Sequence, residues 1–294
     1  MRVNPNPLPD LLSALEQTQQ QINTDEQQIA SGQTVNNPSD DPEAAAMLVQ
    51  NANQNAEADQ YLRSIESIQG EMQNADSTLG SVATVLQRAI SLGTEGANGT
   101  NNASDRQAIA NELQGIQSQL VGMANLSYQG NYVFAGTATQ AAPYVLNSDG
   151  SVSYVGNDNT NQIAVGNNLN VQTNLPGSEL FSNSSNSVFQ AIQDLIISLQ
   201  SGTNISSAVT EVSNAYNYIN DQSTFYGNVI DQLNTQQAYL NSETTQLAQQ
   251  QTNLAGTNLP QAITNLENSE TADQATLEVI SQNQQNNLFT YLSK

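Results

Sequence analysis

Three carboxylates crowd a single turn of this sequence: Asp40, Asp41 and Glu43, within SGQTVNNPSDDPEAAAML (residues 31–48). Carboxylates this close could hold a divalent cation, or share the work of a general acid and a general base. Their neighbours point elsewhere. Neither a His nor a Gly-rich calcium loop accompanies them, so the ligand set is weak. Asp41-Pro42 has the form of a helix start, with Asp41 as N-cap and Pro42 at the first helical position, where its missing N–H is no loss. The three acids then stand at the positive end of the helix dipole. Upstream, Gly32 can adopt the left-handed conformation that ends a preceding helix. The stretch reads as a connector between two helices, with no metal or catalytic role.

Little else in the chain could do chemistry. Of its 294 residues none is Cys, His or Trp. Thiol nucleophiles, imidazole bases, Cys/His zinc sites and His-containing triads are excluded. A glycosidase needs two carboxylates held across a rigid cleft. The only acids in the central region are Asp149, Asp158 and Glu179, each in a turn-like context. No enzymatic activity, cofactor or metal is expected. NSDGS (147–151) is better explained by a hairpin turn than by calcium, since no bidentate Glu follows at the required spacing. Asn-x-Ser/Thr matches such as those at Asn98, Asn125, Asn183 and Asn204 are of the kind that arises by chance in so polar a chain.

Charge narrows the partners. Twenty-seven acidic residues face five basic ones, Arg2, Arg63, Arg88, Arg106 and Lys294, for a net charge of -22. So few cations cannot neutralise a row of phosphates, and neither nucleic acid nor an anionic membrane is an expected partner. The N-terminus lacks the apolar run of a cleavable signal peptide, and no apolar stretch is long enough to span a bilayer.

The elements that must position any site are long helices. From 205 to 254, alternating steps of four and three residues land mostly on apolar side chains, among them Ile205, Val212, Ile219, Tyr226, Leu233, Leu240 and Leu247. A helix this long needs a partner along its whole seam. The same stepping runs from Ala58 through Leu62, Ile65, Met72, Leu79 and Leu86 to Ile90. It recurs at Ile109, Leu113, Ile116, Leu120 and Met123, and again from Phe189 to Leu199. Both ends carry thinner stripes. Leu8, Leu15, Ile22 and Ile29 fall seven apart. Leu259, Ile263, Leu266, Leu277, Ile280 and Tyr291 share one seam, interrupted by Glu270 and Asp273, and Leu288, Phe289, Tyr291 and Leu292 form a dense apolar cluster. A lone helix with so narrow a stripe is marginal in water. Both ends are therefore expected to order only against each other or against neighbouring molecules. Residues 131–181 differ, being β-branched and aromatic with a strong hairpin signal at Asp149-Gly150.

Three stretches carry a family resemblance. IASGQTVNNPSDDPEAAAML, with Gly32, Asn37, Asp40, Asp41 and Pro42, resembles the N-terminal signature of the flagellin superfamily. The Asp-Asp-Pro form, GNYVFAGTATQAAPY (130–144) and NNLFTYL (286–292) are similar to its hook–filament junction branch. The resemblance runs in order over essentially the whole chain, although the terminal helices carry almost no Lys or Arg. It implies a mainly α, elongated helical bundle and coiled coil with a small β-rich inserted domain. In that scheme residues 1–40 and 256–294 form a terminal coiled coil, 41–129 and 187–255 a long-helix bundle, and 130–186 an outer insert. The implied function is that of a structural subunit of the bacterial flagellum. It would be exported without a cleaved signal peptide and located outside the cell. It would form a ring of copies between a hook-associated protein on the hook side and flagellin on the filament side, with an export chaperone at the C-terminal helix. The alternatives are filament flagellin itself and, further off, a non-flagellar coiled-coil surface protein. The assembly seam would comprise Leu8, Leu15, Ile22, Ile29, Leu259, Ile263, Leu266, Leu277, Ile280, Leu288, Phe289, Tyr291 and Leu292.

Overall fold

The computed structural model describes residues 8–181 and 187–292, with side chains described as far as Asn283. Seven helices and six short strands follow in the order α1 (Leu8–Ser31), α2 (Pro42–Gly96), α3 (Ala103–Ala124), β1 (Ser127–Tyr128), β2 (Asn131–Tyr132), β3 (Tyr144–Leu146), β4 (Val152–Tyr154), β5 (Gln162–Gly166), β6 (Leu169–Gln172), α4 (Gly177–Leu180), α5 (Val188–Ser201), α6 (Ile205–Ala255) and α7 (Leu259–Leu292). The chain is predominantly helical, with three two-stranded antiparallel hairpins.

It divides into two compact units, residues 1–57 with 243–294 and residues 58–242. Both boundaries fall inside helices, α2 and α6, whereas the three-part division read from the sequence follows the connectors.

The core of the 58–242 unit is one continuous cluster. Ile65, Met72, Leu79 and Leu86 of α2 share it with Leu113 and Leu120 of α3, Ile192 and Leu195 of α5, and Val212, Ile219, Tyr226 and Leu233 of α6, all buried. The stepping by four and three places these side chains on one stripe per helix, as the packing of long helices requires. Local signals set the helix ends. Asn102 and Asp105 form a reciprocal capping box at the start of α3. Ser187 caps α5, and Gly202 ends it in the left-handed conformation, φ +74°. Arg106 then reaches from α3 to donate to the Leu199 carbonyl at 3.3 Å, placing a cation at the negative end of α5.

The hairpin region joins the same core. Phe134, Tyr144 and Val165 lie in the cluster with the helices. Rings of Phe134, Tyr144, Phe181 and Phe189 meet at centroid distances of 4.9–5.8 Å. Asn125, just past α3, exchanges two hydrogen bonds with the Tyr144 backbone, at 2.8 and 2.9 Å. Gly136 takes φ +69°, and a Cβ there would lie 2.1 Å from the Asn157 carbonyl oxygen. The YVFAG stretch therefore forms a tight turn against the 157 loop.

Candidate functional site

The residues singled out at 32–42 form a connector. Gly32 takes φ +69°, and its N–H donates to the Gln28 carbonyl at 2.9 Å, closing α1. Asp40 Oδ2 accepts the N–H groups of Asn36 and Asn37, at 3.0 and 2.7 Å, and the Asp40 N–H donates to the Asn37 carbonyl at 3.0 Å. Asp41 Oδ1 accepts the N–H groups of Glu43 and Ala44, at 3.1 and 3.0 Å, at the start of α2. Each carboxylate thus spends an oxygen on backbone donors. Among the described residues no group of three His, Cys, Asp or Glu side chains is placed to hold a metal ion. Nor is any helix there long and apolar enough to cross a membrane.

A second connector, between α6 and α7, meets the first. Gln33 and Gly256 form an antiparallel bridge. The Thr34 N–H donates to the Ala255 carbonyl at 2.6 Å, and the Thr257 N–H to the Gly32 carbonyl at 3.0 Å. The Thr34 hydroxyl adds a bond to the same Ala255 oxygen at 3.2 Å. Gly256 is confined here, since a Cβ would sit 2.3 Å from the Thr252 carbonyl oxygen. The two helix breaks are stitched into one crossing, from which α1 and α7 run side by side in antiparallel sense.

This helix pair has a thin interior. On α1, Leu8, Leu15, Ile22 and Ile29 are half-buried, and the positions between them in the heptad hold Leu11, Thr18 and Asp25. On α7 the covered stripe runs through Ala262, Leu266, Ser269, Asp273, Thr276 and Ile280. Leu266 and Ile280 of the expected seam lie on it, whereas Leu259, Ile263 and Leu277 are 44–47% exposed. Leu288, Phe289, Tyr291 and Leu292 lie outside the described side chains. Asp25 is the residue the apolar pattern did not announce, whereas Asp273 was already visible as an interruption of the seam. Both occupy inward heptad positions, three residues after Ile22 and seven before Ile280.

In the terminal unit, a groove of about 430 Å³ is bordered by Met47, Gln54, Gln250 and Leu254, with Asn51 donating to the Leu247 carbonyl at 2.9 Å beside it. Beside the Asp149-Gly150 turn, a pocket of about 330 Å³ is lined mainly by amides, including Gln114, Gln117 and Gln193. Its carboxylate, Asp149, accepts from the Ser151 N–H and hydroxyl, and these bonds hold its pKa below the ordinary value. Among the described residues that line the pocket, Asp149 is the one carboxylate.

Residues 9–139 match the family model of the bacterial flagellin N-terminal helical region. The chain is 37% identical over 119 residues to flagellar hook-associated protein 3 of Salmonella typhimurium, a match covering 40% of this chain and 38% of that protein. It is 34% identical over 131 residues to the protein of that name from Escherichia coli, covering 44% of this chain and 40% of that one. The matched segment thus spans about two fifths of these relatives. A Vibrio parahaemolyticus structure assigned to the flagellar hook-associated proteins superposes with a TM-score of 0.67 at 20% identity, covering 72% of this chain and 98% of that one, which establishes a shared fold. Residues 9–139 are thus similar to the N-terminal helical region of bacterial flagellins, a segment of the chain is similar to part of flagellar hook-associated protein 3, and the chain shares its fold with the Vibrio parahaemolyticus structure.

Proposed function

We propose that the chain is a structural subunit of the bacterial flagellum, without enzymatic activity, that joins the hook to the flagellin filament. In this reading copies form a ring outside the cell, a further hook-associated protein contacts it on the hook side, and flagellin contacts it on the filament side. The C-terminal helix would be held by an export chaperone before secretion. The observation that carries the reading is the α1–α7 pair. The two ends of the chain are stitched together at the 32–34/255–257 crossing, yet Leu12, Leu259, Ile263, Leu277 and Val279 remain 44–49% exposed. A pair with so little interior and so much apolar surface is suited to burial between copies. In the same reading the three-part division holds, with 1–40 and 256–294 as the assembling region.

Removing residues 286–294 deletes Leu288, Phe289, Tyr291 and Leu292. Cells carrying this deletion are expected to build hooks, lack filaments and release flagellin into the medium; normal filaments would overturn the proposal. The match to the flagellin model supports filament flagellin as the second reading. Labelled protein would then decorate the whole filament in electron micrographs, where the junction reading places it only at the base.

A further inference from the structure

The terminal helix pair has an electrostatic peculiarity. The described residues of α1 carry Asp10, Glu16, Asp25 and Glu26, and those of α7 carry Glu267, Glu270, Asp273 and Glu278, with no Lys or Arg on either helix. The remaining ionisable side chains described in this unit, Asp40, Asp41, Glu43, Glu57 and Glu243, are acidic as well. Two of the acids lie inside the pair. Asp25 is 1% exposed. Its Oδ1 accepts from Gln21 Nε2 at 2.9 Å, and its Oδ2 is buried without a donor. On the opposite helix, Asp273 Oδ1 is likewise buried without a donor. An ionised carboxylate only accepts hydrogen bonds, whereas a protonated one also donates.

We infer that the α1–α7 pair is a proton-tightened clasp, loose at neutral pH and closed in acid. At neutral pH both helices carry charge of one sign only, and two carboxylate oxygens sit in the seam without donors. Lowering the pH toward the carboxylate range removes that charge and turns each unpartnered oxygen into a possible O–H donor. In most proteins acid also removes salt bridges and leaves a large positive charge. Here no salt bridge holds the pair among its described residues, and the whole chain has only five basic residues to charge it. The inference stands on the helix pair alone and holds whatever the chain joins.

The test is amide hydrogen exchange on the full-length protein, kept dilute and verified as monomeric by sedimentation, with rates corrected for the intrinsic effect of pH. Between pH 7 and about 3.5, protection of 8–31 and 259–283, measured relative to 205–242, is expected to rise about tenfold. The double variant Asp25→Asn/Asp273→Asn, which keeps side-chain shape and supplies donors, should show raised protection at pH 7 and a flatter pH response. About 0.5 M salt at pH 7 should recover part of the effect in the unsubstituted protein, without any change of sequence. Protection that is constant or falls on acidification would overturn the inference, as would a double variant that keeps the full pH response. A double variant that associates more weakly with itself at pH 7 would also overturn it, because the unpartnered oxygens would then be receiving donors from a neighbouring copy.

Discussion

The two compact units are both built of long helices, but they are filled differently. In residues 58–242, Ile65, Met72, Leu79, Leu86, Leu113, Ile192, Leu195 and Tyr226 are completely buried. In the terminal unit the buried apolar side chains among the described residues are Ala44, Leu247, Ala255, Ala262 and Ile280, and they share the interior with Asp25 and Asn51. Burying one large aliphatic side chain contributes about 1.5–3 kcal/mol. Helix length alone contributes little, because most helical stability in proteins comes from packing an apolar face. Comparable helices therefore carry very different stability, and the weaker set is the one whose interior holds few large apolar side chains.

Truncation in each unit is the most direct way to break this comparison. Leu113→Ala is expected to cost about 2–5 kcal/mol and to lower protection throughout 58–242, as read by denaturant unfolding and amide exchange. Ile280→Ala should cost about 1–2 kcal/mol, with the loss confined to 8–31 and 259–283, because a thin seam can close around the gap. Equal and global losses would abolish the distinction.

Alkaline pH should separate the units in the opposite direction from acid. Burial pushes the Tyr144 and Tyr226 phenols above their ordinary value. A raised folded-state value means that the stability is fully present below the unfolded value, near pH 10, and is lost as pH climbs above it. Each tyrosine then removes up to about 1.4 kcal/mol per pH unit above 10. The described side chains of the terminal unit include no tyrosine, so the loss should be confined to 58–242. Tyr226→Phe should flatten the alkaline limb. Because its hydroxyl is buried without a side-chain partner, this change should cost less than about 1 kcal/mol at pH 7.

Smaller effects sharpen the picture. Asp41→Ala removes the acceptor for two N–H groups at the start of α2. It should cost about 1 kcal/mol, visible as faster exchange near residues 42–46. Glu71→Gln should give a slight rise in Tm at pH 7. Burial raises the Glu71 pKa, so the unsubstituted protein recovers this stability as pH falls through the folded value. The advantage of the variant should vanish below about pH 4, and an advantage that persists there would show that the charge of Glu71 is not its cause.

What could be read from the sequence alone was local or periodic. Gly32 at positive φ, Asp41 as the acceptor at a helix start, the Asp149-Gly150 turn between β3 and β4, and the 205–254 stripe of α6 each depend on residues within a turn or two of one another. Backbone sterics, side-chain capping and helical periodicity act over that range, so residue type and spacing suffice. Tertiary structure decided the rest. Nothing local foretells that Thr34 bonds to Ala255 across 221 positions, that Arg106 donates to a carbonyl 93 residues later, in the last turn of α5, or that Asn125 holds the Tyr144 backbone so that the hairpins enter the helical core. Asp25 and Asp273 are the sharpest case. On isolated helices each would be a solvated carboxylate. Only the packing of α1 against α7 withdraws them from water and leaves an oxygen of each without a donor. The sequence determines which groups are polar, but whether a polar group is costly depends on what the fold places against it.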